Sequence, residues 1–190
     1  LSCLNMRLLP LSLREPVEGN TLNMKWVNHR VVSGVAVYML THDIVASLVT
    51  TATSVFPDWI EGEEFNPSIH RKISHWMLLY AVPAFLLFAY LYFNNCCISV
   101  TTYILSGSLF TNRPTTLPQI TSVSLILNLF FYVLLGPVFH ILEDALCGKV
   151  PFVSLKKRHG VRLFTVGSFK EYLFAASFVA VCVAFLYKGL

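Results

Sequence analysis

The sequence predicts an all-α fold: a polytopic helical membrane protein of about four to five membrane helices, including a short N-terminal helical hairpin. Three observations predict it. Hydrophobic residues make up 55% of the 190 residues and charged residues 13%, where a soluble domain carries about 25% charge. The mean hydropathy is +0.64. The apolar residues gather in five blocks, 31–57, 73–93, 96–112, 119–142 and 172–187. Fourteen Lys and Arg with ten Asp and Glu are too few to coat a water-facing surface. That argues against a soluble enzyme, a disordered tail and a nucleic-acid module, so no nucleic-acid partner is expected.

Residues 1–23 show no helical or strand period and are interrupted by Pro10, Arg14, Glu15 and Pro16. Met24, before Lys25 and Trp26, reads as a natural start. The expectation is an extension over 1–23 that does not fold with the rest, and a single helical membrane domain over 24–190.

The first apolar block carries Thr41-His42-Asp43 in its middle. An Asp at mid-bilayer in an unbroken helix costs several kcal/mol. As an N-cap it instead satisfies donors at the start of a second helix. The reading is therefore a hairpin, 29–40 and 43–56, which returns residue 58 to the level of residue 29. Phe56-Pro57-Asp58-Trp59 reads as a helix stop, and 58–72 as a polar loop.

Block 73–93 contains no Asp, Glu, Lys or Arg. Its length suffices for a hydrocarbon core of about 30 Å at about 1.5 Å per residue. Asn94-Asn95 makes the following turn. Block 96–112 is uncharged but rich in Ser and Thr, and it either crosses or forms a re-entrant segment. Block 119–142 is again long enough to span. Residues 147–167 read as a basic loop, and 172–187 as the last helix. The five cysteines have no CxxC spacing and read as reduced packing residues. Trp26, Trp59 and Trp76 read as interfacial anchors.

Polar residues in such a chain are few and costly, so their placement is informative. His29 opens the first block and Asp58 closes it. His70 and His75 sit where the 73–93 helix begins. His140 and Asp144 end the 119–144 helix, and Glu171 opens the last one. His140 and Asp144 are spaced i, i+4 and share a helical face. That spacing suits two ligands of one metal ion, and is also ordinary helix-surface geometry. Together, His29, His70, His140, Asp58 and Asp144 all fall at helix ends that a simple topology brings together. Imidazole and carboxylate donors suit a divalent ion: zinc, or manganese or iron. Such an ion lowers the pKa of its water and polarises an ester or phosphoryl oxygen.

The residues also carry a family resemblance. The motifs are Asn28-His29-Arg30 with Gly34, Val55-Phe56-Pro57-Asp58-Trp59, and His70-Arg71-Lys72-Ile73-Ser74-His75. They continue with Gly136-Pro137-Val138-Phe139-His140-Ile141-Leu142-Glu143-Asp144, then Gly148-Lys149-Val150-Pro151, and finally Val166-Gly167-Ser168-Phe169-Lys170-Glu171. In this order, over about 24–175, the chain resembles the YdjM-like family of LexA-regulated, membrane-bound metal-dependent hydrolases. It departs where that family has a second Asp after Pro-Asp: Ile60 stands there, with Glu61 one further on. Glu61 substitutes only if the loop bends. Lys72 replaces a Gly and Asn28 a Thr. The family is distantly similar to helical zinc phospholipase C and single-strand nuclease proteins, which favours phosphoesters.

The resemblance implies a metal-dependent hydrolase in the bacterial inner membrane. Its metal ligands would be His29, Asp58, His70, His140, Asp144 and Glu171. His75 would be a further ligand or would orient the attacking water, and Arg71 would hold an anionic substrate. Membrane lipid is the expected partner, with a lipid or other phosphoester as substrate. The competing reading is a non-enzymatic membrane protein, a metal carrier or a scaffold.

Topology tests the reading. One site forms only if 96–112 does not fully cross, since otherwise His140 lies opposite His70. Ten of the fourteen Lys and Arg lie in 24–30, 57–72 and 145–171. By the positive-inside rule that side is cytoplasmic. Lys156-Lys157-Arg158 serve that topology signal or attract anionic headgroups.

Overall fold

The computed structural model describes residues 21–61, 73–105, 122–161, 163–165 and 167–188, with side chains from Trp26 onward. Helix α1 (Thr21–Thr41) and helix α2 (Ile44–Thr53) form the expected hairpin. His42 takes φ 51° at the turn. Asp43 then accepts from the Ala46 N–H at 2.9 Å and caps α2. The two helices approach closely at Gly34, whose carbonyl accepts from Ser47 Oγ at 2.7 Å.

Helix α3 (Phe56–Glu61) follows directly. It corrects the reading of Phe56-Pro57-Asp58-Trp59 as a stop and of 58–61 as loop. Pro57 lies in the first turn, where a helix needs no N–H donor. The Trp59 N–H closes the turn onto the Val55 carbonyl at 3.0 Å. Asp58 in that first turn also suits the positive end of the helix.

Helix α4 (Met77–Phe93) begins after a turn over 73–76, so it is shorter than the apolar block that predicts it. Asn94-Asn95 turn the chain as expected, Asn95 with φ 53°. Of block 96–112, the described part yields helix α5 (Val100–Leu105), only six residues long. Asp43 holds α5 against the hairpin turn. It accepts from Thr101 Oγ1 at 2.6 Å, from the Thr101 N–H and from Ser99 Oγ.

Helix α6 (Ser122–Cys147) runs for 26 residues through the middle of the fold. It packs on α2 and α4. Gly136 makes the first contact possible: a Cβ there would stand 2.7 Å from the Ser54 nitrogen. Asn128, within α6, binds the 96–98 segment through the Ile98 N–H and the Cys96 carbonyl.

The basic segment after α6 is not a plain loop. Strands β1 (Val150–Ser154) and β2 (Lys157–His159) pair antiparallel. Val150 and Phe152 pack on Met77, Tyr80, Ile141 and Ala145. Helix α7 (Phe169–Lys188) closes the chain along α1.

The described residues are thus mostly helical with one small β-hairpin. Among the described residues, two helices, α6 and α7, are long and apolar enough to cross a membrane. The larger apolar core, built on Val37, Ala46, Val100, Tyr103, Leu125 and Tyr132, lies at the end of the bundle that holds Asp43. The smaller one lies at the other end, beside the polar cluster described next.

Candidate metal centre

Three local structures deliver the polar groups. Helix α3 presents Asp58 and Glu61, which its i, i+3 spacing places on one side. The turn before α4 presents His75, fully buried. Helix α6 presents His140 and Asp144, both buried and i, i+4 apart. Antiparallel packing of α4 on α6 sets the start of one beside the end of the other.

One donor atom from each of Asp58, His75, His140 and Asp144 falls within 4.8 Å of the other three. His75 Nε2 lies 3.2 Å from Asp58 Oδ1 and 3.3 Å from Asp144 Oδ2. His140 Nε2 lies 3.4 Å from Asp58 Oδ1, 3.9 Å from Asp144 Oδ2 and 3.3 Å from His75 Nε2. A tetrahedral zinc site with bonds of about 2.0–2.1 Å has ligand–ligand edges of about 3.3–3.4 Å. The separations cluster around that value, and the two-nitrogen, two-oxygen donor set is one zinc accepts. The residues therefore fit a divalent ion.

Charge supports the same fit. Burial disfavours a charged His75, yet Asp144, Asp58 and Glu61 outweigh it and push its pKa up to about 10. Burial also opposes ionisation of Asp58, but His140 and His75 hold its carboxyl far below the ordinary range. The cluster is a place where positive charge is strongly favoured, by proton or by metal.

Neighbouring carboxylates orient two of the three rings, His75 and His29, while the buried Nδ1 of His140 has no hydrogen-bond partner among the described residues. Glu61 Oε1 takes the Nδ1 side of His75 at 2.9 Å and is also bonded by the Ser74 hydroxyl. This leaves His75 Nε2 aimed at the cluster. Glu143 Oε2 holds His29 Nδ1 at 2.8 Å, and Glu143 Oε1 accepts from Ser33 Oγ at 3.0 Å. Metal-ligating histidines are commonly fixed in this way.

The residues expected from sequence divide as follows. Asp58, His140 and Asp144 come together. His75, given a catalytic role or a ligand role, stands among the four donors. His29 sits beside them: its Nε2 is 3.7 Å from Asp144 Oδ1, and its ring centroid 4.0 Å from that of His140. Glu171 is engaged elsewhere, by Asn28 Nδ2 at 2.7 Å and by the Gly167 N–H, and so ties α7 to α1. His70 and Arg71 lie outside the described residues, as do residues 1–20; Thr21–Asn23, expected to belong to an extension that does not fold with the rest, are the first residues of α1.

Two participants, Glu143 in its orienting role and Glu61 as a partner of His75, were not assigned from sequence. The signal for Glu61 was its i, i+3 spacing from Asp58, which counts only if 56–61 is helical. For Glu143 it was a position one turn from Phe139–His140 on the buried side of α6. His42 and His159 are exposed, and Cys147 and Cys182 are buried. No family model matches the chain, and no match is found among curated proteins or solved structures.

Proposed function

We propose that the chain is a membrane-bound metal-dependent hydrolase of the YdjM-like kind. It would lie multi-pass in a bacterial inner membrane, with its site at the cytoplasmic face. Asp58, His75, His140 and Asp144 would hold one divalent ion, zinc first. The observation that carries this reading is the set of donor separations, 3.2 to 3.9 Å, converging from three separate elements. Ion-paired His and carboxylate groups also meet at such distances, but two histidine nitrogens facing each other at 3.3 Å between the same two carboxylates are what an ion among them would hold together.

A bound divalent ion supplies Lewis-acid polarisation of an ester or phosphoester and a lowered pKa for water. The chain's own groups do the rest. Glu61 and Glu143 set the tautomers of His75 and His29. His29 Nε2, facing Asp144 from outside the four donors, is placed to take the proton that water loses on attack. An amphiphilic substrate would reach such a site from the interface, on the side to which the sequence assigns ten of the fourteen Lys and Arg.

A carrier would need polar groups along its spans. Asn128 is the amide within α6, and its side chain is consumed by Ile98, Cys96 and Ser124. That favours a site at the helix ends over a conduction path. The deciding experiment pairs metal analysis of detergent-purified protein with hydrolysis of nitrophenyl esters, phosphomonoesters and phosphodiesters. One tightly held ion and metal-dependent turnover are expected. Bound metal without turnover on any class would favour the carrier, and a metal-free, fully stable protein the scaffold.

A further inference from the structure

The segment between α6 and α7 carries a second surface. Residues 148–168 contain Lys149, Lys156, Lys157, Arg158 and Arg162, and no Asp or Glu. They begin directly after Cys147, where a helix of spanning length ends, and stop just before Phe169, where the next begins. Both ends of the segment are thus tied to the same membrane level.

The β-hairpin in this segment has two different faces. Its inner face is covered: Val150 is fully buried, and the Val153 carbonyl accepts from Trp76 Nε1 at 3.2 Å. Its base is tied to α6, because the Val161 and Leu163 N–H groups donate to the Ala145 and Leu146 carbonyls. Its outer side exposes Lys156, Lys157 and Arg158 together with apolar groups. Val153 is 71% exposed, Val161 60% and Leu163 55%. These exposed apolar side chains flank the three cations along the segment. A headgroup layer accommodates both kinds, cations at the phosphates and apolar groups just beneath.

We propose that the 150–159 hairpin docks on the anionic lipid headgroups of the leaflet next to the metal centre, and so holds that centre at the membrane surface. The proposal rests on the membrane part of the functional reading and deepens it. The occupant is the leaflet itself: the hairpin is rooted at the ends of two spanning helices, its cations are uncompensated within the segment, and its apolar groups point outward among them. Trp76, whose indole is bonded to β1, couples the hairpin to the turn that carries His75.

The test is hydrogen exchange of the hairpin amides in the full chain held in nanodiscs. Discs of phosphatidylcholine alone are compared with discs containing about 30 mol% phosphatidylglycerol. Exchange at 157–163 is expected to slow about tenfold in the anionic discs, since each cation near such a surface adds a several-fold preference. The slowing should vanish in the triple variant Lys156→Gln, Lys157→Gln, Arg158→Gln and shrink at about 0.5 M salt. The double variant Val153→Ser, Leu155→Ser should weaken it in part. Equal exchange in the two lipids overturns the proposal, as does slowing that survives in the triple variant. Slowing produced in phosphatidylcholine discs by inorganic phosphate or an oligonucleotide also overturns it, in favour of a soluble anion. Metal content of the same samples is read alongside, so a failed metal centre and a failed docking surface give different results. A chain that stays soluble without discs overturns the membrane reading and the docking proposal together.

Discussion

Glu61 lies three residues after Asp58 on α3, and its carboxylate grips His75 Nδ1 at 2.9 Å. One short helix thus provides both a donor to the cluster and the group that aims a second donor. Glu61→Ala is expected to leave the four donors in place but to loosen His75. Metal affinity should fall about 10- to 100-fold, the usual cost of losing such an outer partner. Competition against a chromophoric chelator measures it. Unchanged affinity would mean that His75 is held by its other contacts.

His29 and His140 are neighbouring rings with different expected roles. His140→Ala should abolish stoichiometric metal and turnover together, and metal retained at full occupancy in that variant would reject the assignment. His29→Gln should keep the metal and lose turnover, about 100-fold or more for a lost proton acceptor. If His29→Gln also loses the metal, His29 is a ligand and the proton acceptor lies elsewhere.

Asp58, Glu61, Glu143 and Asp144 converge within a largely buried space, accompanied by histidines. Metal removal should therefore weaken helix packing as well as chemistry. Saturation at about 100-fold over the dissociation constant contributes about 2.7 kcal/mol of stability. Thermal unfolding in detergent, with and without a chelator, should show the midpoint fall on chelation and recover on adding zinc. No change would place the ion outside the fold's stability.

Asp43 provides an opposite kind of control. It is buried at the far end of the bundle and accepts bonds from α2, Thr101 and Ser99. Asp43→Ala removes an N-cap, worth about 1 kcal/mol, and further leaves the α5 donors unsatisfied at about 1–3 kcal/mol. Stability should drop while metal content per folded chain stays the same. Loss of metal in folded Asp43→Ala protein would show that the two ends of the bundle are coupled.

Much of this was legible in the residues. Asp43 announced the hairpin because a carboxylate in that block has few places to go except a cap. Asp58, His140 and Asp144 announced themselves as polar groups at the ends of apolar runs. Helix α3 did not, because Pro57 after an apolar block reads as an end when it is also a good beginning. The β-hairpin was hidden by its cations, and only the burial of Val150 and Phe152 against α6 explains why a basic segment pairs. Glu171 shows the limit of spacing arguments. Its choice of Asn28 depends on α7 lying along α1, and no local pattern in either helix specifies that neighbour.

Pro137 stands inside α6, one turn before His140. It has no N–H to give the Val133 carbonyl, so one rung of the helix ladder is missing there. Pro83 does the same to α4, the helix that follows His75. The helix that carries His140 and the helix that follows His75 thus each lack one backbone rung between the cluster and the opposite end of the bundle. Bending at these two positions would move the cluster without disturbing the packing around Asp43. In the proposed metal centre, such bending would let the four donors adjust to ions of slightly different radius.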